Sequence, residues 1–371
     1  DGPKGTRGIS LFLVPKFLAD AGGRLGPRNR VSCDGLEAKM GIHGCSTCTM
    51  SFDRATGWLV GEAHQGLKAM FSMMNTERLS VGIQGLAVAE ASRQNAVAYA
   101  RERRQGRSAA ARSGDSLADP IIVHPDVRRM LMTQRALVEG NRALGLWTAR
   151  ALDLSERHPD EVLRRKASDF VALMTPVVKA SLTDAGSEVA NLGMQILGGH
   201  GYIRGNGQEQ FVRDVRITQI YEGTNGIQAI DLLGRKVLQQ DLLSAFTEPV
   251  RAFLAEAAKS PELAEFTGPV ERALSLLNEA VDLIRKRVAA NPEEPLAVAS
   301  EFLALLALTA QAYLWARAAR IALQHPNEEF YQAKLTTARF FMARILPRSG
   351  ACHAAILAGA APVMNLDAES Y

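Results

Sequence analysis

The sequence predicts a mainly α-helical fold built in three parts, and three observations lead to this prediction. Residues 1–62 contain short runs of β-branched and aromatic residues interrupted by glycine and proline, a pattern typical of strands and turns. Residues 63–240 place apolar residues three and four apart over long stretches, which predicts a bundle of four long helices. Residues 241–371 continue that spacing and predict a helical C-terminal extension.

Two segments carry the strand prediction for the first part. Ile9–Val14 is a short apolar run, and Cys48–Val60 mixes Thr, Met, Phe, Trp and Val with turn residues. We therefore expect residues 1–62 to be part of a β domain rather than a complete one.

The first two bundle helices are predicted from their apolar faces and from the breaks that follow them. One helix is expected from just after Gly66 to about Arg104. The stretch Arg107–Pro120 is rich in Ser, Ala, Gly and Asp and is expected to be a loop. A second helix is expected over Pro125–Arg157, where the following His-Pro pair ends it.

The third bundle helix is predicted to begin near Asp160 and to end at Leu197, because two glycines follow. Pro176 is expected to break or restart this helix, with Thr175 as the new N-cap. Shorter helices are expected over Gln208–Ile220 and Thr224–Val237.

The extension is predicted from an amphipathic stripe whose members step by three and four along the chain: Leu274, Leu277, Val281, Ile284 and Val288. Further helices are expected over Leu296–Ala322 and Glu328–Leu346, each ended by a nearby proline.

Net charge, apolar runs and cysteine content indicate which kinds of ligand and location are favoured. The net charge of +4 does not favour nucleic-acid binding, although it suits an anionic substrate. We find no apolar run of about 18 residues and expect no membrane-spanning helix. Cys45 and Cys48 lack a second ligand pair, so we expect no metal site and reduced thiols. The chain opens on Asp-Gly-Pro without an initiator Met, so we expect a processed or partial chain.

The most informative motif group lies within thirty residues. Gln195–Tyr202 contains a Gly-Gly-His-Gly turn, Arg213-Asp214 follows, and Gln219–Thr224 reads Gln-Ile-Tyr-Glu-Gly-Thr. A dinucleotide-binding glycine loop follows a strand and opens a helix, whereas a helix precedes this one. The glycines alone therefore indicate a helix end and turn.

Taken together, these motifs resemble the acyl-CoA dehydrogenase family. Leu36–Gly44 and Gly57–Gly61 are similar to two strands of that family, and the Glu77-Arg78 pair lies twenty-five residues before Arg103, as family members space their CoA-contacting and FAD-contacting arginines. The helical extension resembles a subgroup of longer bacterial members that includes enzymes similar to 3-methylmercaptopropionyl-CoA dehydrogenase. The fold implied is an acyl-CoA dehydrogenase-type four-helix bundle between a β-domain remnant and the extension.

The resemblance implies an FAD-dependent enzyme that converts acyl-CoA thioesters to trans-2-enoyl-CoA. Glu222 matches the family's catalytic base, which removes the α-proton while the β-hydrogen leaves as a hydride to the flavin. In some members the base lies instead on the first bundle helix, at the position of Glu77. Glu77 is therefore the alternative base, and otherwise a neighbour of the site or a solvated helix residue.

The resemblance also implies binding residues. Arg78 matches an arginine that holds the CoA moiety, and Tyr221 and Gly223 flank the base on the substrate side. Thr224 matches a contact to the FAD of its own subunit. Contacts to the FAD of a neighbouring subunit match Arg103, Gln105, Gln195, Gly198 and Gly199. A homodimer or homotetramer is therefore expected.

Several alternatives stay open in the sequence. An acyl-CoA oxidase uses the same base, and some family members bind DNA or form non-catalytic helical assemblies. For the dehydrogenase, electron-transfer flavoprotein is the expected electron acceptor and the bacterial cytoplasm the expected location. Complete members carry further domains before the position of Asp1, so this chain by itself is expected to bind FAD poorly. The sequence does not define the length or branching of the acyl chain.

Overall fold

A computed structural model describes residues 2–108 and 117–370, and most of this described chain is helical, which confirms the predicted fold class. The chain divides into two compact units, Asp1–Glu77 and Arg78–Tyr371. Most of the loop predicted at Arg107–Pro120 lies outside the described residues, since residues 109–116 are not among them.

The first unit contains three antiparallel strand pairs, which confirms the strand prediction for this part of the chain. The pairs are β1 (Leu11–Leu13) with β6 (Trp58–Val60), β2 (Phe17–Ala19) with β3 (Leu25–Arg28), and β4 (Val31–Leu36) with β5 (Cys48–Phe52). A 3-10 turn at Gly5–Gly8 precedes them. Nearly every strand residue is exposed, Val31 being the buried one, so these strands enclose little core of their own.

Buried Asn29 connects the loops of the first unit. Its Nδ2 donates to the carbonyl oxygens of Pro15 and Thr56 at 2.9 and 2.8 Å, and its Oδ1 accepts from the Thr56 amide at 3.0 Å. One side chain thus satisfies backbone groups of two loops that are distant in sequence.

The strand expected over Leu36–Gly44 is wrong beyond its first residue. Strand β4 ends at Leu36, and Ile42 has φ of 50°, in the left-handed region. Extended strands require negative φ, so the chain turns here instead of continuing a ladder. The strand expected at Gly57–Gly61 is confirmed as β6.

Three long helices follow, with boundaries close to those predicted: α1 (Gly66–Glu102), α2 (Pro125–Arg157) and α3 (Glu161–Leu197). A 3-10 turn at Ile121–Val123 leads into α2, which has proline in its first turn, where the missing N–H is not needed. Asp160 caps α3, its carboxylate accepting from the amides of Val162 and Leu163 at 2.8 and 3.2 Å.

The break expected at Pro176 is wrong, because α3 runs through this residue without interruption. Thr175 does not cap a new helix; its hydroxyl donates to the carbonyl oxygen of Val171, one turn earlier, at 2.7 Å. Residues 173–183 of α3 are all buried. Tertiary burial of this segment therefore outweighs the local cost of proline in a helix.

The rest of the chain is a series of shorter elements. Helices α4 to α6 are Gly199–Tyr202, Gln208–Arg216 and Asn225–Ile230, and a π-helix continues over Asp231–Gln239. Helices α7 to α13 are Ser244–Ala257, Ala264–Arg287, Glu294–Ala297, Ala299–Ala322, Glu329–Phe340, Arg348–Ala358 and Ala361–Met364. A second π-helix covers Phe341–Ile345, and 3-10 turns lie at Arg204–Asn206, Ile217–Gln219, Pro261–Leu263 and Ala368–Ser370.

One hydrophobic core joins the helices on both sides of residue 240. Its members form one cluster of contacting side chains that extends in sequence from Leu86 to Ile356. Trp147 of α2 lies between Phe246 of α7 and Tyr313 of α10, with ring centroids 6.3 and 5.3 Å away. The division of the chain at residues 63–240 and 241–371 stays a prediction, and in this structure those two parts share their packing.

Helix α10 is the most apolar element of this core. By length and composition alone it could cross a membrane, which the sequence reasoning overlooked, but 83% of its most apolar window is buried inside the protein. A helix enclosed by other helices is apolar on all sides for this reason.

A polar cluster links α1 to α2 at the edge of the core. The Glu90 carboxylate accepts from Arg93 Nη2 at 2.9 Å and from Gln94 Nε2 at 2.8 Å, and it lies 3.2 Å from Arg142 Nη2 of α2. Burial alone would raise the pKa of Glu90, but these hydrogen bonds and charges together lower its pKa from 4.5 to about 2.

We predict that Glu90 makes the fold sensitive to acid. Because its folded-state pKa is lowered, its stabilisation is present above pH 4.5 and is lost as the pH falls through about 2. Between pH 4.5 and about 2, the unfolding free energy of Glu90→Gln should therefore decrease less than that of the parent protein. The expected difference is about 1–2 kcal/mol, after allowance for solvent screening. Urea unfolding at several pH values measures this, with exposed Glu248→Gln as the control. Equal slopes for both variants would contradict the prediction.

Candidate active site

The segment Tyr221–Thr224, here called the Glu222 turn, joins the 3-10 turn at Ile217–Gln219 to α6. Glu222 has φ of 55° and Gly223 has φ of 83°, so two successive residues adopt left-handed backbone. Glycine does so freely, whereas a residue with a side chain loses roughly 1–2 kcal/mol. Such strain persists where the surrounding structure enforces it, and it is concentrated at functional sites.

The functional groups of Glu222 are free to act on a ligand. The residue is half-buried. Among residues 2–108 and 117–370, neither its carboxylate nor its backbone N–H has a hydrogen-bond partner, whereas its carbonyl oxygen accepts from Gln228. An acceptor and a donor on one residue are therefore both unoccupied.

The Glu222 turn is held from the inside by two side chains. Gln228 Nε2 donates to the carbonyl oxygens of Glu222 at 3.0 Å and of Gly223 at 3.3 Å. Lys179 Nζ donates to the carbonyl oxygen of Gly223 and to Asn225 Oδ1, both at 2.9 Å. Lys179 and Gln228 are fully buried, whereas the residues that accept their bonds are half-buried, so the turn is held from its protein side.

Thr224 begins α6 as its N-cap. Its hydroxyl oxygen accepts from the amide of Ile227 at 3.3 Å, and its carbonyl oxygen accepts from the amide of Gln228 at 3.0 Å. The Tyr221 hydroxyl donates to Gln84 Oε1 of α1. The residues on both sides of Glu222 are thereby fixed to neighbouring helices.

Lys179 is a basic side chain that is fully buried in the middle of α3. Burial lowers its pKa to about 8, and the positive charge of Arg78 acts in the same direction, whereas Asp184 and Glu222 oppose this shift. The sequence reasoning did not identify Lys179 or Gln228. The available signal was a lysine inside an otherwise apolar stretch of α3.

Arg78, which the resemblance predicts to contact the CoA moiety, is also buried. Its Nη1 lies 3.9 Å from Asp231 Oδ2 on the π-helix, and its Nε has no hydrogen-bond partner among the described residues. Asp231 is shared with Arg235, whose Nε lies 2.7 Å from Oδ1. Glu77 is exposed and belongs to the first unit.

The five residues matched to a neighbouring subunit's cofactor line one cleft, here called the Arg103 cleft. Its volume is about 430 Å³. Among its walls are Arg103, Gln105, Gln195, Gly198 and Gly199, together with Tyr99 and His124. The structure therefore brings together residues that lie up to 96 positions apart in the sequence, from Arg103 to Gly199.

Backbone pairing builds one wall of the Arg103 cleft. The carbonyl oxygen of Arg103 accepts from the amide of Ile121 at 2.8 Å, and the amide of Gln105 donates to the carbonyl oxygen of Asp119 at 3.0 Å. His124 Nε2 lies 2.7 Å from the carbonyl oxygen of Gln105. The segment after α1 is thus fixed to the segment that precedes α2.

Glycines form the opposite wall, where α3 ends as predicted. Gly198 has φ of 59° and ψ of −137°, a conformation open essentially to glycine only. A Cβ atom added at Gly198 or at Gly199 would meet nothing within 4 Å. The backbone here is accessible to a ligand in the cleft.

The Glu222 turn and the Arg103 cleft are separate sites that contact α3 at two points along its length. Lys179, which anchors the turn, lies sixteen residues before Gln195 in α3, a separation of roughly 24 Å at 1.5 Å per residue. The predicted site residues of the second unit thus fall into two groups rather than one.

Two family models match the chain. One, "Acyl-CoA dehydrogenase, C-terminal domain", matches residues 64–238, and the other, "Acetyl-CoA dehydrogenase C-terminal like", matches residues 246–367. The 3-methylmercaptopropionyl-CoA dehydrogenase of Ruegeria pomeroyi is 43% identical over 363 residues, which cover 96% of this chain and 61% of that protein. The chain therefore spans less than two thirds of the length of this relative.

Solved structures have the same fold. ACDH-11 of Caenorhabditis elegans, determined in complex with C11-CoA, has a TM-score of 0.75 and 22% identity over 91% of this chain and 53% of its own. An acyl-CoA dehydrogenase of Bacillus anthracis, determined with FAD, has a TM-score of 0.71 and 20% identity over 89% and 57%. The chain belongs to the acyl-CoA dehydrogenase family and carries the C-terminal domains of that family.

Proposed function

We propose that this chain is the base-bearing C-terminal portion of an FAD-dependent enzyme that dehydrogenates acyl-CoA thioesters between the α and β carbons. The observation that carries the proposal is the Glu222 turn. A carboxylate that has no partner within residues 2–108 and 117–370 belongs to a strained left-handed residue, and two buried side chains hold the carbonyl oxygens of this residue and of Gly223. A solvated helix-terminal glutamate would need neither the strain nor the anchors.

Glu222 acts as the general base in this proposal. Its free carboxylate takes the proton from the α-carbon of the substrate, and the electron pair of that C–H bond moves toward the thioester carbonyl. Anchoring at Lys179 and Gln228 restricts where the carboxylate points. Positioning of this kind lowers the entropy that the reacting pair must lose before proton transfer.

The backbone N–H of Glu222 is the second group that takes part in this proton transfer. It has no partner within the described chain, so it is available to donate to the thioester carbonyl oxygen, where negative charge develops. A donor that is already fixed in place stabilises this charge without reorganisation. Base and donor then belong to the same residue, and the left-handed turn sets the angle between them.

The Arg103 cleft fits one part of the cofactor. The planar guanidinium of Arg103 offers a positive charge and paired N–H donors, which suit the anionic oxygens of a pyrophosphate, and the glycines at 198 and 199 leave room for close approach. Gln105 and Gln195 would add side-chain amides. Bound FAD supplies the acceptor for the hydride that leaves the β-carbon.

We further propose a homodimer or homotetramer. The separation of roughly 24 Å along α3 supports assigning the Arg103 cleft to the cofactor of a neighbouring subunit and Thr224 to that of its own subunit. One chain then contributes to two active sites.

The substrate proposed is 3-methylmercaptopropionyl-CoA or a fatty acyl-CoA, with Arg78, Tyr221 and Gly223 on the substrate side of the base. The relative from Ruegeria pomeroyi bears the first of these in its name, and the bound C11-CoA of the nematode structure exemplifies the second. Electron-transfer flavoprotein is proposed as the electron acceptor and the bacterial cytoplasm as the location.

Replacing the base tests the function directly. Glu222→Gln in the full-length, FAD-loaded protein should slow bleaching of the flavin by acyl-CoA about 100- to 10 000-fold, because the amide cannot accept the α-proton. Stopped-flow absorbance measures the rate, with Glu77→Gln as the matched control. Loss of bleaching in the Glu77 variant alone would move the base to that residue. Peroxide formed on substrate addition would identify an oxidase.

The Arg103 cleft is tested at its glycine wall. Gly199→Ala should weaken FAD binding about tenfold or more, since the added methyl group occupies the cleft, which corresponds to at least about 1.4 kcal/mol. The melting temperature of the FAD-free protein should stay unchanged, because the new Cβ meets nothing within 4 Å. Gly198→Ala is the contrast, since its backbone conformation is strained and stability should fall as well. Unchanged FAD affinity in Gly199→Ala would remove the cleft from the proposal.

The strain at Glu222 predicts a conflict between stability and activity. Glu222→Gly should be more stable than Glu222→Ala by about 1 kcal/mol, because only glycine relieves the left-handed conformation, while both variants lose the carboxylate. The same pair at exposed, helical Glu271 should show the reverse order, with glycine the less stable by about 1 kcal/mol. Urea unfolding measures all four variants. The same order at both positions would argue against strain at Glu222.

A further inference from the structure

We propose that Lys179 is a positioning residue for the reaction, holding the Glu222 turn in its left-handed conformation through the carbonyl oxygen of Gly223. The inference rests on the proposed function of Glu222 as base. It assigns to one buried lysine of α3 the task of placing that base, without contact to the substrate.

The geometry gives Lys179 two fixed acceptors. Its Nζ lies 2.9 Å from the carbonyl oxygen of Gly223 and 2.9 Å from Asn225 Oδ1, on either side of Thr224. Both bonds are charge-assisted and therefore stronger than neutral ones. The ammonium thus bridges the end of the turn and the first residue of α6, which fixes the chain that bears Glu222.

Asn225 extends this arrangement to the neighbouring elements. Its Nδ2 donates to Asp184 Oδ1 at 2.7 Å, and Asp184 also accepts from Gln219 Nε2 at 2.6 Å. Gln219 lies three residues before Glu222. The network therefore reaches the Glu222 turn from both of its ends and fastens each end to α3.

The charges around Lys179 indicate a role beyond packing. No carboxylate lies within 4 Å of its ammonium among the described residues, so the buried charge is not part of a salt bridge. The charged groups that act on it are Asp184 of the same helix, Arg78 of α1 and Glu222 itself. Burying a cation without an ion pair is costly, and a methionine of similar length would avoid that cost. What the ammonium adds is its pair of donated hydrogen bonds.

The test uses Lys179→Met in the full-length, FAD-loaded enzyme. Methionine keeps the length and fills the same space but donates nothing to Gly223. We expect kcat to fall about 100-fold while KM changes less than about threefold, because misplacing the base affects the chemical step rather than substrate binding. Amide hydrogen exchange should accelerate at residues 222–224 and stay as in the parent enzyme elsewhere in α3. The matched control is Lys166→Met, on an exposed position of the same helix.

The outcomes separate this inference from the proposed function. If Glu222→Gln abolishes flavin bleaching but folded Lys179→Met retains kcat within about threefold, the positioning role is wrong and the base assignment stands. If Glu222→Gln retains bleaching, Glu222 is not the base, and the positioning role of Lys179 is wrong together with that part of the proposed function. An equal loss in Lys166→Met would also overturn the positioning role. Should Lys179→Met fail to fold, Lys179→Gln, whose neutral amide is one bond shorter, must show the same loss of kcat.

Discussion

The left-handed backbone at Glu222 and Gly223 is the constraint on which the site depends. It turns the chain between a 3-10 segment and α6, and the Glu222 carboxylate and N–H both lack a partner in the part of the chain that the structure describes. The conformation is unfavourable for glutamate, so it must be enforced by its surroundings. Gln228 and Lys179 do this from inside the second unit, where both side chains are buried.

Helix α3 connects the two sites of the second unit. Its middle provides the ammonium under the Glu222 turn, and its last turn provides Gln195 and the glycine wall of the Arg103 cleft. A continuous helix sets the separation of points along its length at about 1.5 Å per residue. Pro176 lies close to the first of these points, and its burial shows that packing maintains the helix where local preference would interrupt it.

Much of this fold follows from the sequence, and the failures have physical reasons. The bounds of α2 and α3 were predictable from Pro125 and Asp160, because caps and breaks act locally. The uninterrupted course of α3 through Pro176 was not, because burial by distant helices decides it. The motif at 219–224 indicated Glu222, whereas the apolar stretch around Lys179 indicates burial but not the turn that this lysine contacts. The burial of Arg78 likewise does not follow from the motif, because the packing of the π-helix makes it a buried partner of Asp231.

The continuous core has a consequence for how such chains diverge. Trp147 of α2 packs on Phe246 and Tyr313, which lie beyond residue 240. A substitution on one side of this contact therefore changes which residues are tolerated on the other side. Loss of the extension in one evolutionary step would leave a large exposed apolar surface on the bundle. Another segment of the polypeptide, or another subunit, would have to bury that surface before the extension could be lost.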